Sequence, residues 1–260
     1  MLKNTGKRIK DLPLNRIAPN MVTMMALCSG VTSLRFAMEG NFQWAVLSII
    51  AAAFFDALDG RVARMLNGAS DFGAELDSLS DVICFGVAPG VLMYRWALTS
   101  ADSAGWVFAL FVPVCCALRL ARFNVMLDEE PQPAYWTHFF VGLPAPGGAF
   151  VALTPAMLYF QTGCEVFKNG PVVEAFLLIS ALLMASRLPT ISLKHIRVPV
   201  RFVVLLMALG GFYAGALLYR PWLIFSLTFL FYLASVPVCS IVFLRLKKKA
   251  EAAGKETEEK

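Results

Sequence analysis

Four aspartates carry the first indication of chemistry. Asp56 and Asp59 are three residues apart, and Asp77 and Asp81 are four apart. Either spacing puts both carboxylates of a pair on one helix face. Gly60 shares the first face, and Gly73 lies one turn before Asp77 on the second. The connection at 66–72 is short, so consecutive antiparallel helices would bring the two pairs together. Four converging carboxylates repel one another and take up protons unless a cation joins them. An all-oxygen donor set suits a hard divalent ion, and Mg²⁺ characteristically keeps water and borrows phosphate oxygens. A metal site that grips phosphate is therefore the chemistry these residues suggest. Gly60, Ala63 and Gly73 would let a bulky ligand approach the helix backbones, and Arg64 would satisfy phosphate or an acidic neighbour. The competing reading is a structural cluster of Asp with Arg61 and Arg64 at two helix ends. Four acids against two bases weigh against it.

The elements that must hold these groups are apolar. The chain of 260 residues is 58% hydrophobic and 16% charged, with a mean hydropathy of +0.66. Soluble domains carry about 25% charged residues, so the main solvent here is lipid. An aspartate at the centre of a span costs ~2.5–3.5 kcal/mol on insertion scales, which is why the cluster needs a compensating partner. Spans of roughly 20 apolar residues are predicted near Asn20–Met38, Phe42–Met65, Leu76–Leu98, Trp106–Val125, Phe140–Phe160, Val172–Ser186, Phe202–Tyr219 and Trp222–Leu244. The fold class expected is an all-α polytopic membrane protein with about eight transmembrane helices.

Basic residues cluster in the N-terminal segment, in the second-to-third, fourth-to-fifth and sixth-to-seventh connections, and after the last span. They fall on one side if both termini are cytoplasmic. Arg35, Arg95, Lys168 and Arg220 are the exceptions on the opposite side. The stretch 1–17 is expected to lie at the membrane surface, with Pro13 limiting its helical length. The first apolar run follows basic residues but ends at Arg35 and Glu39 without a small-residue cleavage site, so it reads as a retained helix. The net charge of +5 is ordinary beside anionic headgroups and calls for no nucleic acid. Cys28, Cys84, Cys115, Cys116, Cys164 and Cys239 lack C-x-x-C spacing and read as small hydrophobes. His138 and His195 are expected at the interface rather than in catalysis.

Asp56, Asp59, Gly60, Ala63, Arg64, Gly73, Asp77 and Asp81 fit, at every fixed position, D-x2-D-G-x2-A-R-x8-G-x3-D-x3-D. This resembles the signature of the CDP-alcohol phosphotransferases. The resemblance implies a six-helix core, taken as 18–190, with its active site open to the cytoplasm. A two-helix addition at 191–246 and a flexible cytoplasmic tail at 247–260 would follow it. Asp56, Asp59 and Asp77 would bind Mg²⁺ or Mn²⁺, with Asp81 also at the metal site and chosen here as the general base. Gly60, Ala63, Arg64 and Gly73, with Asn20 and Thr23, would accommodate the cytidine nucleotide of CDP-diacylglycerol. A homodimer is the family's usual state.

The acceptor must be read elsewhere. Leu118-Arg119-Leu120-Ala121-Arg122-Phe123-Asn124, Val141-Gly142-Leu143-Pro144-Ala145-Pro146, Pro19-Asn20-Met21-Val22-Thr23 and Ser186-Arg187-Leu188-Pro189-Thr190 resemble bacterial integral-membrane phosphatidylserine synthases. That resemblance implies L-serine as acceptor and the bacterial inner membrane as location. Arg119 and Arg122, three apart on a helix, are the candidates for an anionic group on the acceptor, with Asn124 beside them. A guanidinium would hold a serine carboxylate or the phosphate of glycerol 3-phosphate or inositol phosphate equally well, so the sister activities stay open. A cation-coupled transporter is the reading from another class; the acids gather at one helix end rather than at mid-membrane, which disfavours it. Pro144 and Pro146 are expected to interrupt a lipid-exposed helix unless protein or a cavity covers it.

Overall fold

Gly40, at φ 80°, turns the chain between the first two helices, a backbone region that glycine enters without strain. The computed structural model describes residues 14–66, 68, 70–99, 104–127, 139–191 and 199–258. Helix α1 (Leu14–Met38) and helix α2 (Phe42–Met65) pack along each other as the resulting hairpin. Next comes a helical rod, Asp71–Leu98, made of α3 (Asp71–Asp81), a π-helical turn Val82–Val87, α4 (Ala88–Met93) and a second π-helical stretch Tyr94–Leu98. Helices α5 (Ala104–Leu127), α6 (Ala145–Thr162), α7 (Gly170–Ala185), α8 (Val203–Tyr219) and α9 (Pro221–Glu258) follow.

With the rod counted once, these make eight helical pieces among the described residues, as the hydrophobic pattern predicts. Four stretches are long and apolar enough to cross a membrane by length and composition: Ile17–Met38, Asp71–Leu98, Ala104–Met126 and Pro221–Phe243. Helices α7 and α8 are apolar but shorter, at 16 and 17 residues.

The departure from helix is small and has a local cause. The span expected over Phe140–Phe160 starts only at Ala145, because Pro144 stands at its N-cap and Pro146 in its first turn, where a missing N–H costs nothing. Ahead of it, β1 (Phe139–Val141) pairs antiparallel with β2 (Pro189–Ile191), Phe140 opposite Thr190. Gly142, at φ 75°, then turns the chain, its N–H donating to Leu188 O at 2.9 Å.

Helix α6 is the centre of the core. Gly148 to Leu158 are buried without a break, and α6 packs on α7 and α9. Ser180 Oγ of α7 donates to Gly148 O at 2.7 Å, and Phe150 stacks on Phe229 of α9 at 4.6 Å between centroids. The rod meets α5 at very close range. A Cβ added to Gly90 would lie 2.6 Å from Ala109 O, so only glycine permits this approach. In contrast, α8 contributes no buried residue and packs chiefly on α9.

Both ends of the described chain are helical. Leu14 to Ile17, assigned to the surface segment, already belong to α1, whose Pro19 lies early enough that few backbone bonds are lost. The stretch 247–260, expected to be a flexible tail, is helical to Glu258 as the continuation of α9. Its Ala, Glu and Lys residues are strong helix formers, which outweighs their polarity. His138, His195 and the segment 1–13 lie outside the described residues. All six cysteines are free, and Cys84, Cys115, Cys116 and Cys239 are buried.

Candidate active site

The aspartates meet at the α2–α3 corner. Asp56 and Asp59 come from the C-terminal half of α2, while Asp77 and Asp81 come from α3 running back alongside. Ser70 fixes where α3 begins: its side chain accepts a hydrogen bond from Gly73 N at 3.1 Å, and Asp71 in the first turn complements the helix dipole. One carboxylate oxygen each from Asp56, Asp59 and Asp77 lies within 4.8 Å of the others. Asp81 stands one turn deeper, against Asp56, with the Arg119 guanidinium of α5 close to both. Directly after Asp81 the rod widens into its π-helical turn, a distortion that recurs at functional sites because it re-aims side chains.

A cleft of about 170 Å³ opens beside the three carboxylates, lined by α1, α2 and α3. Asn20, Thr23, Asp59, Gly60, Ala63, Gly73 and Asp77 line it, which unites most of the residues assigned from sequence to the nucleotide and the metal. Thr23 lies beside Asp59, its own hydroxyl donating to Pro19 O at 3.2 Å. At Gly73 a Cβ would come within 2.9 Å of Asn20 Oδ1, so glycine lets α3 sit against α1. At Gly60 nothing lies within 4 Å of an added Cβ, so that face is open to the cleft. Arg64 is absent from the lining and instead donates from Nε to Gly60 O of its own helix at 2.9 Å.

The three residues assigned to the acceptor separate. Arg122 donates from Nη1 to Ala185 O at 2.8 Å and from Nη2 to Ser186 O at 3.0 Å, closing the C-terminal end of α7. Asn124 donates to Ser78 Oγ at 3.1 Å and ties α5 to α3 next to Asp77. Arg119 lies near Cys116 and Asp81, and its Nε is buried without a hydrogen-bond partner. Asp59 Oδ2 is likewise buried and unpartnered. Pro19, Gly68, Ser70 and Ala74 also line the cleft and went unassigned in the sequence. Ser70 was readable there as an N-cap before Asp71 and Pro19 as part of the motif with Asn20, whereas Gly68 and Ala74 carried no signal of their own.

Residues 16–186 match the family model described as CDP-alcohol phosphatidyltransferase. The chain belongs to this family. Among curated relatives, a Mycobacterium leprae protein is 40% identical over 222 residues, covering 85% of this chain and 74% of the relative. One from Mycobacterium tuberculosis strain H37Rv is 36% identical over 235 residues, or 90% and 81%. A Bacillus subtilis relative is 33% identical over 162 residues, or 62% and 86%. Each of the three is named CDP-diacylglycerol–serine O-phosphatidyltransferase. Membership and the apolar helices make this an integral membrane protein and a transferase. The family match ends close to the C-terminus of α7, so α8 and α9 lie beyond it.

Proposed function

We propose that this protein transfers the phosphatidyl group of CDP-diacylglycerol to the hydroxyl of L-serine, releasing CMP and leaving phosphatidylserine. The observation that carries the chemistry is the approach of Asp56, Asp59 and Asp77 within 4.8 Å around a cleft wall, with Asp59 Oδ2 buried and unpartnered. A buried carboxylate oxygen without a donor is costly, so this donor set fits a hard divalent ion, Mg²⁺ or Mn²⁺, held by the three aspartates with Asp81 adjacent. When bound, the ion would offset charge on the phosphoryl oxygens and on departing CMP.

The remaining work falls to side chains. Asn20, Thr23, Gly60, Ala63 and Gly73 form the walls against which the cytidine nucleotide would lie. Asp81 would take the proton of the serine hydroxyl as its oxygen bonds to phosphorus and the phosphorus–oxygen bond to CMP breaks. Arg119, with a buried guanidinium nitrogen to spare, would pair with the serine carboxylate. Arg122 and Asn124 would act by positioning, since their polar groups hold α7 and α3.

Serine as acceptor rests on the relatives of that name, which this chain covers over most of their length. Residues 18–190 are read as the catalytic core, with the hairpin 191–246 as an addition. The bacterial inner membrane, with both termini and the aspartate end cytoplasmic, and a homodimer complete the proposal. The test is CMP release by purified protein given CDP-diacylglycerol and Mg²⁺ or Mn²⁺, with serine, glycerol 3-phosphate or inositol phosphate supplied separately. Serine-dependent release supports the acceptor; release with one of the phosphates alone would keep the donor chemistry and sink serine.

A further inference from the structure

Arg95 and Lys168 are two of the four bases, with Arg35 and Arg220, that fall on the side away from the aspartates. They are 73 residues apart and belong to different elements, yet both line one cleft of about 680 Å³. Arg95 sits near the end of the rod that carries Asp77. The 18 intervening steps, at most 1.5 Å each, put it up to ~27 Å along the axis from Asp77, close to the ~30 Å of a hydrocarbon core and so toward the opposite face of a membrane that the rod crosses. The other wall is the turn between α6 and α7, with Glu165, Lys168 and Asn169.

The charges there are not mutually satisfied. Among the described residues the Arg95 side chain has no ion-pair or hydrogen-bond partner; only its carbonyl is used, by Thr99 Oγ1 at 3.2 Å. Glu165 takes its hydrogen bond from Tyr159 Oη at 3.3 Å rather than from either base. Lys168 Nζ stands 5.7 Å from the centre of the Tyr159 ring. Two bases against one acid leave the cleft net positive. Helix α7 adds to that, for it starts directly after Asn169 with no acid in its first turn. Trp96, 6% exposed and edge-on to Tyr159 at 5.5 Å, supplies a rigid apolar floor. The volume falls in the usual range for small-ligand sites, roughly 300–1,000 Å³.

We infer that this cleft binds a phosphate-bearing anion at the membrane face opposite the aspartates. The headgroup of an anionic phospholipid has the matching chemistry: a phosphodiester for Arg95 and Lys168, a polar head for Thr99 and Asn169, and acyl chains that remain in lipid. A soluble phosphate offers the same anion without the chains.

The test compares wild type with Arg95→Gln/Lys168→Gln and with each single variant, so that a double variant that fails to fold does not end the experiment. Native mass spectrometry reads the lipid retained after equilibration with phosphatidylglycerol or with phosphatidylcholine. Inorganic phosphate is supplied separately as a competitor for retained lipid and as a ligand in thermal unfolding. CMP release serves as the check on folding, since neither residue belongs to the aspartate site. Wild type is expected to prefer phosphatidylglycerol, and each replacement to weaken that retention about fivefold, the scale of one basic residue against an anionic headgroup. Loss of lipid with no response to phosphate assigns the headgroup. Competition and thermal stabilisation by phosphate in wild type alone assign the soluble anion. Equal retention of the two lipids by wild type with no response to phosphate, or variants indistinguishable from wild type in every arm, would overturn the inference.

Discussion

Gly60→Ala is expected to stabilise the protein while impairing it. Gly60 lies inside α2 with helical backbone, and an added Cβ would find no atom from elsewhere in the protein within 4 Å. No steric cost opposes the change, and glycine inside a helix is worse than alanine by roughly 0.5–1 kcal/mol. Thermal unfolding in detergent should therefore rise by about 2–4 °C per kcal/mol gained, on the scaling for chains of this size. The methyl group enters the cleft, however, which measures about 170 Å³. A methyl is close to a water molecule in size, so it takes space that the nucleotide would otherwise use. Steady-state CMP release with varied CDP-diacylglycerol should show a raised KM, a lowered kcat, or both, while the response to serine concentration is unchanged. A less stable variant would mean that Gly60 is packed against protein after all. A more stable one with unaltered kinetics would remove the nucleotide from this face of α2.

The two arginines of α5 should separate in their effects. Arg122→Ala removes two hydrogen bonds from a charged donor, each worth about 1.5–3 kcal/mol, so unfolding should shift downward and activity should fall with it; Arg119→Ala should raise KM for serine, an effect that Arg122→Ala is not expected to share. Asp81→Asn is expected to cut turnover by about 10²–10⁴-fold, the usual contribution of a general base, while CDP-diacylglycerol still binds in an equilibrium assay; near-normal turnover would remove Asp81 as base. Chelation of divalent ions should abolish CMP release reversibly, with Mg²⁺ or Mn²⁺ restoring it and Ca²⁺ serving as the size control; activity that persists through exhaustive chelation would refute the metal reading of the aspartates.

What was legible in the sequence was legible for local reasons. The spacings of Asp56 to Asp59 and of Asp77 to Asp81 define helix faces whatever surrounds them, and the short connection between α2 and α3 forces those faces together, so the cluster is implicit in the sequence. The apolar runs mark the helices by composition, because lipid admits few other backbones. Propensity extends the helices past the apolar runs: the Ala-, Glu- and Lys-rich end of α9 is helical to Glu258, and α1 begins before Pro19.

The sequence alone determined the acid cluster, the helical membrane architecture and the glycine that opens the cleft, since each depends on residue type at fixed local spacing. Only the tertiary structure decided what the individual bases do. Arg119 and Arg122 are equivalent in the sequence, one turn apart on one helix, yet the end of α7 occupies Arg122 and leaves Arg119 near Asp81. Arg95 and Lys168 looked like isolated exceptions until the turn after α6 came to rest beside the end of the rod. A long side chain takes its partner from whichever distant element packs within its reach, and that packing is set by the whole core rather than by neighbours along the chain.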